Sequence, residues 1–142
     1  MLMSLDKHNS RSDLMVEQLV GTHVSFWEHL KKTTSPPFEL LEASDNIVHL
    51  FEGQKNTCFI ELREKGIIVH FKTGKNDDAL IIPFKKLNIF KTAHHYAIYS
   101  EKEFCKLPIT HSMDSFFEKV NRARNRTLGS LNFADDFIVP EA

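Results

Sequence analysis

Only two cysteines, Cys58 and Cys105, occur in the 142 residues. They stand singly inside apolar runs, with no CxxC spacing and no other ligands beside them, so a disulfide framework and a zinc ribbon are excluded. The expected state is that of reduced, buried thiols, as in a reducing, cytoplasmic setting. The five glycines form neither GxGxxG nor a P-loop, so no cradle of backbone N–H groups awaits a nucleotide phosphate. No apolar run approaches the roughly 20 residues that a bilayer-spanning helix requires. The polar start, Met1 to Asp13, lacks the apolar stretch of a secretory signal. Excess charge is missing too: 18 Lys and Arg face 19 Asp and Glu, so the whole molecule has no field to draw it to nucleic acid or an acidic membrane.

What the chain does have is hydrophobic material, 42% of it with 12 phenylalanines. That suffices for one packed core in a domain of this length. Asp13 starts a helical pattern that reaches Lys32, with Val16, Val20, His23, Trp27 and Leu30 on one face. Thr33-Thr34-Ser35-Pro36-Pro37 then stops it. The pattern next becomes alternating. Ile47, His49 and Phe51 suggest a first strand. Cys58 to Leu62 and Ile67 to Lys72 suggest a hairpin, with Gly66 supplying a positive φ at its turn. Ala79 to Phe84, Leu87 to Lys91, His95 to Ser100 and Glu103 to Leu107 complete about seven short strands, with Pro83 marking an edge or a bend. Asp77-Asp78 falls in a turn and Asp135-Asp136 in the tail, as solvating or capping pairs. Ser112 is a plausible cap for a last helix to about Arg126, bearing Met113, Phe116, Phe117, Val120 and Ala123 on one face. Beyond Gly129, the apolar residues Leu131, Phe133, Phe137, Ile138 and Val139 suggest a tail that docks on the core or on a partner.

Three stretches of the middle of the chain, Phe59 to Val69, Leu80 to Phe84 and Tyr96 to Tyr99, followed by Phe116 to Asn121, resemble the bacterial pleckstrin-homology-like domains. The resemblance implies an α+β fold: a bent antiparallel barrel of about seven strands over residues 45–126, capped by the C-terminal helix. An N-terminal helix (13–32) and the tail (127–142) are additions, all within one domain. It also implies a non-enzymatic binding or scaffolding module, without cofactor or metal, that recognises a protein or peptide through a sheet edge or the groove beside the last helix. Lipid recognition is weakened, because the connection Glu52 to Thr57 carries Lys55 as its one cation.

Candidate partner-binding residues are Lys119, Arg122 and Arg126 on the last helix, with Trp27, Phe133 and Phe137. Arg124 extends the basic patch, but the near-neutral charge argues against nucleic acid. Trp27 and Leu30 also suit a homodimer seam. An alternative reading, a histidine-dependent or metal-assisted enzyme, rests on the eight histidines, with His94 and His95 as its candidates. Neighbours on a strand point to opposite faces, so this pair could share an ion only within a turn.

Overall fold

The computed structural model describes residues 1–4, 10–21, 33–52, 56–73 and 76–129. Two antiparallel sheets and a long closing helix make up an α+β fold. The strands are β1 (Leu2–Ser4), β2 (Phe38–Glu39), β3 (Glu42–Ala43), β4 (Thr57–Arg63), β5 (Gly66–Thr73), β6 (Asn76–Pro83), β7 (Asn88–Lys91), β8 (His95–Tyr99) and β9 (Phe104–Pro108). The helices are α1 (Ser10–Val20), α2 (Asp45–Phe51) and α3 (His111–Leu128). The first sheet has the order β1-β6-β5-β4-β2 and the second β3-β9-β8-β7.

The hairpin read from the sequence is present, with Cys58 opposite Phe71 and Arg63 opposite Gly66. Alternation along β4 buries Cys58, Ile60 and Leu62 and leaves Phe59, Glu61 and Arg63 half-buried on the other face. Gly66 is required for a reason other than the expected positive φ. Gly21 is the one described glycine in the left-handed region. At Gly66 a Cβ would lie 2.4 Å from the Ile82 carbonyl oxygen and 2.5 Å from Val20 Cγ1. The glycine therefore admits the end of α1 and the end of β6 against the same turn.

Other expectations are corrected. Asp45–Phe51 is a helix, not a strand: Ile47 and Phe51, four residues apart, share its buried face, while Val48 and His49 are exposed. The period-two reading had picked up an i, i+4 pair. Asp77-Asp78 lies in β6, opposite Lys72 and Phe71, instead of in a turn. The cap of α3 is Thr110, not Ser112; its hydroxyl accepts from the Met113 N–H at 3.1 Å. The first helix ends at Val20, because Gly21 takes φ +81° and donates back to the Glu17 carbonyl at 2.9 Å. Its expected continuation to Lys32, with Trp27, lies outside the described residues, as does the tail with Phe133, Phe137 and Asp135-Asp136. Pro83 does mark a bend: β6 ends there and a 3-10 turn, Phe84–Lys86, leads to β7.

The expected barrel is not closed. The sheets are joined by residues 38–43, where Phe38–Glu39 pairs with β4 and Glu42–Ala43 with β9. At the other side β6 and β7 belong to different sheets and do not pair. The principal core lies between the sheets and is closed by Met113, Phe116, Phe117, Val120 and Ala123 of α3. A second, smaller core lies on the outer face of the first sheet, where Val16 and Val20 of α1 pack on Ile68, Ala79 and Ile81.

Gly66→Ala should cost about 1–3 kcal/mol, because the contacts are with backbone and a β-branched side chain that cannot yield without moving α1. Urea unfolding will measure the loss. A variant as stable as the parent would show that α1 is seated less tightly than these distances require.

Candidate functional site

The last helix has one buried face and two flanks, and each flank meets a different part of the chain. On one flank Phe117 packs against Tyr96, with ring centroids 4.4 Å apart. The Tyr96 hydroxyl donates to Asp114, and Lys91 Nζ lies 3.0 Å from the same carboxylate. Burial, followed by the bond to Asp114, pushes the Tyr96 phenol well above its ordinary range. The hydrogen bonds from Tyr96 and Lys91 hold the Asp114 carboxyl below the usual carboxylate range. This knot attaches α3 to β7 and β8.

β7 is the edge strand of the second sheet and pairs with β8 alone among the described residues. The Thr92 N–H donates to the His95 carbonyl at 2.9 Å, so hydrogen-bonded pairs recur at Phe90–Ala97 and Asn88–Tyr99. The N–H and C=O groups of Ile89 and Lys91 consequently point away from β8. On the outer face, Phe90 meets Tyr99 edge-on at 5.1 Å and Tyr99 stacks on Phe104 at 5.7 Å. These half-buried rings form an apolar row beside the edge.

The other flank of α3 faces residues 34–37. Between them runs a groove of ≈ 590 Å³, lined by Thr34, Ser35, Pro36, Pro37, His111, Ser112, Ser115, Phe116 and Lys119. Ser35 is buried and takes part in the sheet, since its hydroxyl accepts from the Ile60 N–H at 2.8 Å. Pro36 and Pro37 have no N–H to offer, which blunts this side of the first sheet against strand addition.

Of the residues singled out from sequence, Lys119, Arg122 and Arg126 do share one face of α3, Lys119 half-buried and the two arginines exposed. The fold does not bring His94 and His95 together on an ion. His94 is exposed in the turn, and His95 begins β8 with Nδ1 3.3 Å from Thr92 Oγ1. Among the described residues no group of three His, Cys, Asp or Glu side chains could hold a metal. Both cysteines are free and buried. Burial pushes the Cys105 thiol up to about 12 and raises Cys58 further, with the nearby Cys105 adding to the effect. Neither is disposed to act as a thiolate.

Among the described residues His70 acquires a carboxylate partner that the strand pattern alone could not assign. Its Nε2 is 2.9 Å from Glu61 Oε1, its ring stacks on Phe59 at 4.5 Å, and Arg63 Nε holds the other carboxylate oxygen of Glu61. Arg63 also reaches the Gly21 carbonyl at 3.4 Å. The cluster thereby ties the end of α1 to the sheet. Burial alone would raise the Glu61 carboxyl, but the hydrogen bond from His70 and the Arg63 charge outweigh it and hold the group below its usual range.

A carboxyl depressed in the folded state contributes stability above its unfolded value of about 4.3 and loses it as pH falls through the folded value. Glu61→Gln should therefore destabilise the fold at pH 7 by about 2 kcal/mol and cost nothing further once Glu61 itself is protonated. Urea midpoints of parent and variant from pH 7 to pH 3 should converge at the acid end. Parallel curves would sink this assignment. No protein-family model matches the chain, nor does any curated protein sequence, so its role must be argued from its own residues.

Proposed function

We propose that the chain is a non-enzymatic binding module of pleckstrin-homology-like architecture that recognises an extended segment of a partner protein by adding it as a strand to β7. The observation that carries this reading is the edge itself. β7 has four residues and no proline, and it leaves the backbone groups of Ile89 and Lys91 directed outward. An added strand pairs with such groups and gains side-chain selectivity from whatever borders the edge. Here the borders are the Phe90, Tyr99 and Phe104 row on one face and Asp114 of α3 on the other.

The remaining edges suit a partner less well. β2 and β3 have two residues each, and β2 is preceded by Pro36-Pro37; β1 has three. A lysine on an edge strand ordinarily repels addition, yet Lys91 is drawn back onto Asp114. The architectural part of the proposal is supported by residues 38–43. Taken as one bent strand shared by both sheets, they give seven strands from Phe38 to Pro108, followed by the closing helix.

Lys91→Pro tests the reading. It removes an outward donor without touching the ladder to β8, so the domain should stay folded; Lys91→Ala, which gives up the same ion pair with Asp114 but keeps the N–H, is the control and should bind like the parent. Peptides selected on the parent domain from a displayed random library should bind the variant at least about tenfold more weakly, and in spectra of the parent they should shift the amides of Ile89 and Lys91. Selected peptides indifferent to the substitution would sink the edge reading.

A further inference from the structure

The ring row on the outer face of the second sheet is closed at one end and open at the other. Phe104 stands at the closed end: Lys106 Nζ lies 5.9 Å from the centre of its ring and 3.0 Å from Glu42. Tyr99 stacks on Phe104 with an interplanar angle of 26°, and Phe90 meets Tyr99 at 79°. The row stops at Phe90, which is half-buried, because β7 is the last strand of this sheet among the described residues.

The backbone fixes what an added strand would set beside that last ring. Phe90 forms a hydrogen-bonded pair with Ala97, so its own N–H and C=O are engaged with β8. A strand added antiparallel beyond β7 therefore meets Phe90 in a non-hydrogen-bonded pair, between bonded pairs at Ile89 and Lys91. In such a pair the Cα atoms are about 4.5 Å apart and the side chains stand closest on the shared face. We infer, resting on the strand-addition reading, that the partner segment carries an aromatic residue opposite Phe90, where it becomes the fourth ring of the row. A leucine there gains buried area alone, whereas a ring gains area and the favourable edge-on or offset geometry that the existing pairs already show. A lysine could lie over Phe90 as Lys106 lies over Phe104, but it keeps its ammonium in water and leaves the apolar end of the row uncovered. A second copy of the chain paired about Phe90 would set Lys91 against Ile89 twice over, a cation opposite a side chain that packs on the principal core, so a separate partner suits the edge better.

Seven-residue peptides selected on the parent domain from a displayed random library, labelled with fluorescein and titrated in fluorescence anisotropy, are the probe. Phenylalanine, tyrosine or tryptophan should recur at one position, and its replacement by leucine or lysine should weaken binding about fivefold. Phe90→Leu keeps an apolar cover at a half-buried position and should melt close to the parent; against it the aromatic and leucine peptides should bind alike. In the parent complex, nuclear Overhauser contacts should join the peptide ring to Phe90. Peptides that bind Lys91→Ala but not Lys91→Pro, and yet take leucine as readily as an aromatic residue, would overturn this inference and leave strand addition standing. So would an aromatic preference that survives Phe90→Leu in full. No selected peptide, or peptides indifferent to Lys91→Pro, would overturn both. A concentration-dependent dimer that Lys91→Pro dissociates would put a second copy on the edge and overturn the choice of occupant.

Discussion

The structure depends on one change of partner within residues 38–43. Up to Leu40 the backbone bonds with β4 and its approach, the Leu40 N–H reaching the Asn56 carbonyl at 3.4 Å; from Leu41 it bonds with β9, the Leu41 N–H reaching the Lys106 carbonyl at 2.8 Å. A single chain segment thus sets where the two sheets meet, and the core between them can form only once both ladders are in register. Side chains on either side reinforce the transfer. Phe38 and Leu40 point into the core, and Lys106 Nζ lies 3.0 Å from Glu42. Just beyond, Glu103 is buried yet satisfied by the Ser44 hydroxyl and by Asn46 Nδ2 at 2.8 Å, which fixes the start of α2 to the turn before β9.

The two flanks of α3 follow from that arrangement. Once the sheets are splayed from a shared corner, the helix that covers the opening must touch the second sheet on one side and the segment leading into the shared strand on the other. Tyr96 with Asp114 secures the first contact. The second remains a groove, because Pro36 and Pro37 hold the chain extended there without donating to a neighbour.

The parts of this picture that were legible in the sequence are those governed by local periodicity. β4 buries every second residue and the turn at Gly66 sets it off from the apolar run of β5, so the hairpin could be read from Cys58 to Lys72, and the stripe of Met113, Phe116, Phe117, Val120 and Ala123 announced α3. Where two periods coincide, reading failed: Ile47 and Phe51 satisfy both alternation and helical spacing, and seven residues are too few to separate them. Thr110 and Ser112 are equally good caps by chemistry, and only the path of the chain out of β9 selects Thr110. Strand order is not a local property at all. That β7 would be an edge, that His70 would face Glu61, and that Gly66 would face Val20 required the assembled sheet. Lys119, Arg122 and Arg126 could be grouped on the last helix, but the wall that faces Lys119, 34–37, lies more than 80 residues earlier and could not be placed beside it.

The position of α1 has a consequence for the timing of local opening. Because Val16 and Val20 cover Ile68, Ala79 and Ile81, β5 and β6 are shielded on both faces, one by the principal core and the other by this helix. Amide protons in the centre of that ribbon can meet solvent only when both layers part, whereas those of β7 are one layer and one strand from water. Exchange should therefore be slowest in the β5–β6 ribbon and fastest at the second sheet's edge. The ribbon thus lies in the other sheet from β7, an edge strand among the described residues, and β7 should loosen and re-form without disturbing the ribbon on which the rest is assembled.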